Sequence, residues 1–192
     1  MAGCNVFFYS DPHFFHKNVA RFRKIGEFVT EVEQREEQRR RWNKVVKKND
    51  IVYILGDVVV AKWTDEVRDF IKSLNGRKIL ILGNHCTERD KLVNFIDVFE
   101  SVHGVLKYKE FWLSHIPLNR RTLFGKLVNV HGHTHAVYDE NDPHYFNVSA
   151  DVIDFTPIRI DILRERIAKK QEIQGRFFNK VKRMIELWRT VF

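Results

Sequence analysis

Four stretches of the chain are almost purely apolar and only four or five residues long: 5–9, 51–55, 79–82 and 127–130. Runs this short, bounded by Gly, Asp or Pro, predict buried strands rather than helices. Between them the pattern changes. Thr30, with Glu31 and Glu33 after it and Lys44, Lys47 and Lys48 further on, predicts a long capped helix whose charges suit its macrodipole. Thr64 opens a second helix that runs to about Leu74 and closes at Asn75-Gly76. A loop and short helix reaching Phe28, a helix around 89–96, and strands at 145–148 and 157–160 add to this. Two further strands fall within 104–114, joined near Lys109-Glu110. Beyond them Phe177, Val181, Met184, Trp188 and Val191 step by four, three, four and three, forming one apolar stripe of a helix. The expected architecture is one α/β domain over 1–162, followed by an amphipathic helical tail over 163–192 that packs on the domain or on a partner, with an oligomer as one outcome.

Composition narrows the setting. No run among the 192 residues is long enough to span a bilayer. The first five residues lack the basic and apolar regions of a secretory signal, and two cysteines cannot build a disulfide scaffold or a zinc-finger set. A cytoplasmic protein without membrane association is the expectation. The net charge of +8 and pI of about 9.5 favour phosphate-bearing molecules, nucleotides and nucleic acids included. From residue 161 onward, nine basic residues stand against four acidic ones.

The chemistry lies where the apolar runs stop. Asp11 and His13 follow the first, Asp57 the second, Asn84 and His85 the third, and His133 and His135 the fourth. Strand ends of α/β sheets are where ligands converge. Taken singly, Asp11 or Asp57 reads as a turn residue or helix cap, and His115 as a core histidine. Taken together, imidazoles, carboxylates and an amide oxygen make a site for manganese, iron or zinc, with nickel a further alternative. Glycines at 56, 83 and 132 are expected to bend the backbone and aim the next side chains.

Asp11-Pro12-His13, Gly56-Asp57, Gly83-Asn84-His85, His115 within Leu113-Ser114-His115-Ile116-Pro117, and Gly132-His133-Thr134-His135 stand in this order. This series resembles the five blocks of the calcineurin-like metallophosphoesterases, and residues 10–18 resemble a small single-domain branch found in bacteria and their phages. The resemblance implies a central β-sandwich flanked by helices and a two-metal hydrolase of phosphate esters. It places one divalent cation on Asp11, His13 and His135 and another on Asn84, His115 and His133, with Asp57 bridging and manganese the expected metal. A hydroxide between the metals would attack phosphorus, and His85 would be the catalytic acid. The family often has an acidic residue after Gly-Asn-His, where this chain has Cys86, read here as a buried packing residue.

A phosphodiesterase acting on a nucleotide or nucleic acid is the favoured function. A phosphomonoesterase and a non-catalytic scaffold on the same fold are the alternatives. His16, Arg120 and Arg121 are candidate substrate contacts, the arginines because a guanidinium can fork onto a phosphate. Arg21 and Arg23 have the same standing.

Overall fold

The computed structural model describes the chain except residues 1–2, 24–29, 87, 89–92, 125–126, 138–141 and 192, and describes backbone alone at 93, 137, 178 and 181–191. Three of the four apolar runs become parallel neighbours in the first sheet, β1 (Val6–Tyr9), β2 (Ile51–Leu55) and β3 (Arg77–Ile81), and β4 (Ser101–His103) pairs in parallel with β3. With the antiparallel two-residue β9 (Ile158–Arg159), their spatial order is β4-β3-β2-β1-β9. A second sheet, in the order β5-β6-β7-β8, holds Leu106–Tyr108, Phe111–Leu113, Val128–His131 and Tyr145–Asn147. The turn at Lys109 (φ 52°) makes β5 and β6 an antiparallel pair, and the remaining pairs are parallel.

The period of two in a strand sends alternate side chains to opposite faces. Phe8 on β1 and Tyr53 on β2 stack at 5.7 Å and meet Tyr108 and Phe111 of the second sheet, Phe8 at 6.4 and 5.8 Å, so aromatic rings join the two sheets. Tyr9 turns the other way, its ring 5.3 Å from Trp42 and its hydroxyl donating to Gln38. Trp42 and Gln38 belong to helix α2 (Glu31–Val45), which follows the four-residue α1 (Val19–Phe22). The predicted cap at Thr30 is present as a reciprocal capping box with Glu33. Thr64 caps α3 (Asp65–Ser73), whose Phe70 packs on Phe14.

The buried face of α2 is polar apart from Trp42: Gln34, Arg35 and Gln38. Those groups hold the loop after β1. Gln38 Nε2 donates to the Pro12 carbonyl (3.2 Å), Glu31 accepts from the Phe15 amide (2.8 Å), and Arg35 lies 3.7 Å from the centre of the Phe15 ring. The last two elements are α4 (Val93–Ile96), inside the predicted 89–96, and α5 (Ile160–Val191). Residues 89–92 of that prediction lie outside the described residues. In α5, Leu163 and Ile167 join the core while Ile173 and Phe177 are exposed; the stripe side chains from Val181 onward lie outside the described ones. No described helix is long and apolar enough to cross a membrane.

Candidate metal centre

Five strand ends of two sheets, those of β1, β2, β3, β6 and β7, meet at one edge. The loop after β1 continues along the loop after β2: the amides of Asp11, His13 and Phe14 donate to the carbonyls of Gly56, Asp57 and Val58. Two groups of donor atoms result, Asp11, His13 and His135, and Asp57, His115 and His133, each with its ligand atoms within 4.8 Å of one another. Asn84 Oδ1 lies 2.9 Å from His115 Nε2, so the amide oxygen belongs with the second group. All seven predicted metal ligands are therefore gathered here, Asp57 lying with the second group.

The backbone is strained to achieve this. Asp11, His13, Asp57, His133 and His135 all have left-handed φ, between 47° and 67°. Such a conformation costs a β-carbon-bearing residue on the order of 1–3 kcal/mol, although Asp and His bear it better than most. Of the three glycines, Gly56 alone has a left-handed φ (94°). At Gly83 and Gly132 the reason is close approach instead. A β-carbon there would sit 2.2 Å from Asp57 Oδ1 and 1.9 Å from Ser10 Oγ, respectively.

The hydrogen bonds leave certain atoms over. Asp11 Oδ2 accepts from the His133 amide (2.8 Å) and the Ser149 hydroxyl (3.0 Å). Its other oxygen, Oδ1, is buried without a hydrogen-bond partner, as is His13 Nε2. These two atoms are 3.7 Å apart, and His135 Nε2 is 3.8 Å from the same oxygen. Those distances are too long for hydrogen bonds, yet they enclose one common point. A buried, unpaired carboxylate oxygen beside two imidazole nitrogens is expensive without a cation. The donor set therefore fits a divalent metal.

Ionisation agrees. Burial works against charge on Asp11, but His13, His115 and His135 around it hold its carboxyl well below the usual range. For Asp57 burial is likewise outweighed, here by its bond to His115. Burial lowers the pKa of His13, and burial with the neighbouring His115 lowers that of His133, so both favour the neutral, ligating form. Burial is overcome at His115 by Asp57 and at His135 by Asp151, which raise both. These are protons that a cation would displace. His115 Nδ1 lies 2.8 Å from the Leu55 carbonyl, which can only accept, so Nδ1 carries hydrogen and Nε2 faces the centre.

His85 stands at the rim, its ring 5.6 Å from that of His13 and its amide donating to Asp57 Oδ1 (2.9 Å). Cys86 is buried, accepts from the Gly83 amide through Sγ (3.2 Å), and has its thiol pKa pushed up by burial, as a packing residue should. The acid missing at position 86 is supplied two residues on: Glu88 Oε2 lies 2.8 Å from His85 Nδ1. His16 is half-buried beside His13, with ring centres 6.1 Å apart. Arg120 is exposed and paired with Asp142 (3.5 Å), and Arg121 is exposed; among the described residues no contact ties either to the donor groups.

Two residues overlooked in the sequence, Asp151 and Glu88, and one read there as a candidate substrate contact, Arg23, complete the site. Asp151 accepts from His135 Nδ1 (3.1 Å) and from the Ala136 amide (3.1 Å), leaving Nε2 for the metal side. Arg23 is buried, donates to the Pro12 carbonyl (2.9 Å) and the Asp11 carbonyl, and clamps the turn that carries two ligands. Glu88 is the third; its spacing of three from His85 was the available signal. Asp151→Asn is expected to weaken metal binding about 10–100-fold, read by calorimetric titration of the metal-stripped protein. An unchanged affinity would mean that Asp151 does not fix the ring.

Comparison with known proteins agrees with this geometry. The family described as calcineurin-like phosphoesterase matches residues 4–177. An uncharacterized protein, MJ1445, of Methanocaldococcus jannaschii is 30% identical over 178 residues, 88% of this chain and 94% of that one. The Gene 66 protein of Mycobacterium phage L5 is 32% identical over 164 residues, 69% of this chain and 78% of the phage protein. The crystal structure of AQ665 from Aquifex aeolicus, a protein of unknown function, shares the fold with a TM-score of 0.66 at 23% identity, covering 85% of this chain and 99% of that one.

Proposed function

Because the chain belongs to the calcineurin-like phosphoesterases and is a metal-dependent hydrolase of phosphate esters, we propose that it is a two-metal phosphodiesterase acting on nucleotides or nucleic acid. The observation that carries the two-metal reading is the pair of adjoining donor groups, with Asp11 Oδ1 and His13 Nε2 of the first buried and unpartnered. Asp11, His13 and His135 would hold one cation; Asn84, His115 and His133 would hold the other, with Asp57 shared. When bound, divalent cations, manganese by expectation, neutralise phosphate charge and lower the pKa of water enough to make a nucleophile near neutral pH.

The chain's own residues do the rest. Asp11 and Asp57, ionised at neutral pH, set the negative charge that draws cations in. Asp151 and the Leu55 carbonyl fix the rings of His135 and His115. His85 Nδ1 is held by Glu88, which turns the ring so that Nε2 is the atom left to protonate the leaving oxygen. A singly charged diester suits this cleft better than a monoester dianion: Arg23 turns both terminal nitrogens to backbone carbonyls, and Arg120 is occupied by Asp142. The basic balance of the chain favours nucleotide or nucleic-acid esters. A cytoplasmic setting and the 163–192 segment as a tail, docking or pairing through its stripe, complete this reading.

The test is hydrolysis of bis-p-nitrophenyl phosphate and p-nitrophenyl phosphate by the metal-stripped protein resupplied with manganese, iron, zinc or nickel. Faster turnover of the diester is expected. Preference for the monoester would overturn the diesterase reading, and no turnover with any metal would favour the scaffold.

A further inference from the structure

Phe22 is the last residue of α1 and is 73% exposed. A lone exposed apolar side chain is ordinary on a protein surface. This one differs in where it is held. The next residue, Arg23, is buried and bonded to the carbonyls of Asp11 and Pro12, so the backbone at Phe22 is tied to the turn that carries two metal ligands. The Phe22 ring lies 6.0 Å from that of His16, and the His16 ring lies 6.1 Å from that of His13. A row of three rings thus leads from the metal centre to solvent. Lys17 and Arg21, on the same segment, are exposed, and among the described residues neither forms an ion pair.

Resting on the phosphodiesterase reading, we propose that Phe22 is the stacking platform for a nucleobase of the substrate, on the His13 side of the scissile phosphate. Every base offers a π face, so an aromatic ring at a fixed distance from the phosphate site binds a nucleoside without reading its sequence. Lys17 and Arg21 on the same lip supply the positive charge that a polynucleotide backbone follows. The ring is presented to solvent at no folding benefit, while its neighbour's guanidinium keeps it in register with the ligands. That combination suits an extended nucleic-acid strand or a nucleotide better than a compact alkyl phosphate.

Two diesters with one leaving group separate the contributions: the p-nitrophenyl ester of thymidine 5′-monophosphate and methyl p-nitrophenyl phosphate. Phe22→Ala is expected to raise KM for the thymidine ester about tenfold, with KM for the methyl ester and kcat for both unchanged. Phe22→Trp should keep the wild-type preference. Equal loss on both esters would assign Phe22 a structural role, and no loss on either would remove it from the binding site; both overturn the proposal. If the wild type cleaves neither ester, the phosphodiesterase reading fails by itself. Titration of the manganese-loaded protein with thymidine 5′-monophosphate then decides, since tenfold weaker binding by Phe22→Ala supports the platform and equal or absent binding rejects it.

Discussion

Asp11→Asn is expected to remove metal and activity together, lowering turnover of bis-p-nitrophenyl phosphate by more than the roughly 10–100-fold that loss of an outer partner costs. The reason is the division of labour within one carboxylate. Oδ2 is engaged by the His133 amide and the Ser149 hydroxyl. Oδ1 faces His13, His115 and His135 at 3.7, 4.0 and 3.8 Å. An amide is nearly the same size, but it is neutral, and one of its two positions becomes a donor. Either the amide nitrogen meets the donors at the Oδ2 position, or it points at the metal site. Metal content by mass spectrometry, with circular dichroism to confirm folding, reads the result. A folded variant with full metal content and wild-type turnover would remove Asp11 from the centre.

His85→Asn should instead separate chemistry from metal binding. Positioned acid catalysis contributes about 10²–10⁴-fold, and only where the leaving oxygen needs a proton. Hydrolysis of a dinucleotide should fall by that order, whereas p-nitrophenyl esters, whose phenolate leaves without help, should lose far less. Metal content should stay at the wild-type level, because His85 lies outside both donor groups. Glu88→Gln should repeat the pattern at smaller size, since the amide still reaches Nδ1 but no longer holds the ring by charge. Equal losses on both kinds of ester would mean that His85 binds the phosphate rather than protonating the leaving group.

The ligands were legible because short apolar strands announce where they end, and a polar residue at that end has few other places to point. The same logic found both capped helices, where Thr30 and Thr64 bond the amides three residues on. It failed where the cause is tertiary. Strand β4, Ser101–His103, has no buried residue and no alternation, and is a strand only because β3 pairs with it. The polar buried face of α2 carries no apolar stripe, yet it holds the ligand loop through Glu31 and Gln38. Arg23 reads as a solvated loop cation until the fold folds it under Asp11. Asp151 is sixteen residues from His135, a separation that no local pattern connects. At Gly83 and Gly132 the sequence suggests bends, while the fold needs room for Asp57 and Ser10.

The two-metal centre is the claim on which the rest depends. Calorimetric titration of the metal-stripped chain with manganese tests it most directly. Two ions per chain are predicted for the wild type, falling to one or fewer in Asp57→Asn. Saturation at a single ion, or an Asp57→Asn variant that still binds two, would contradict it.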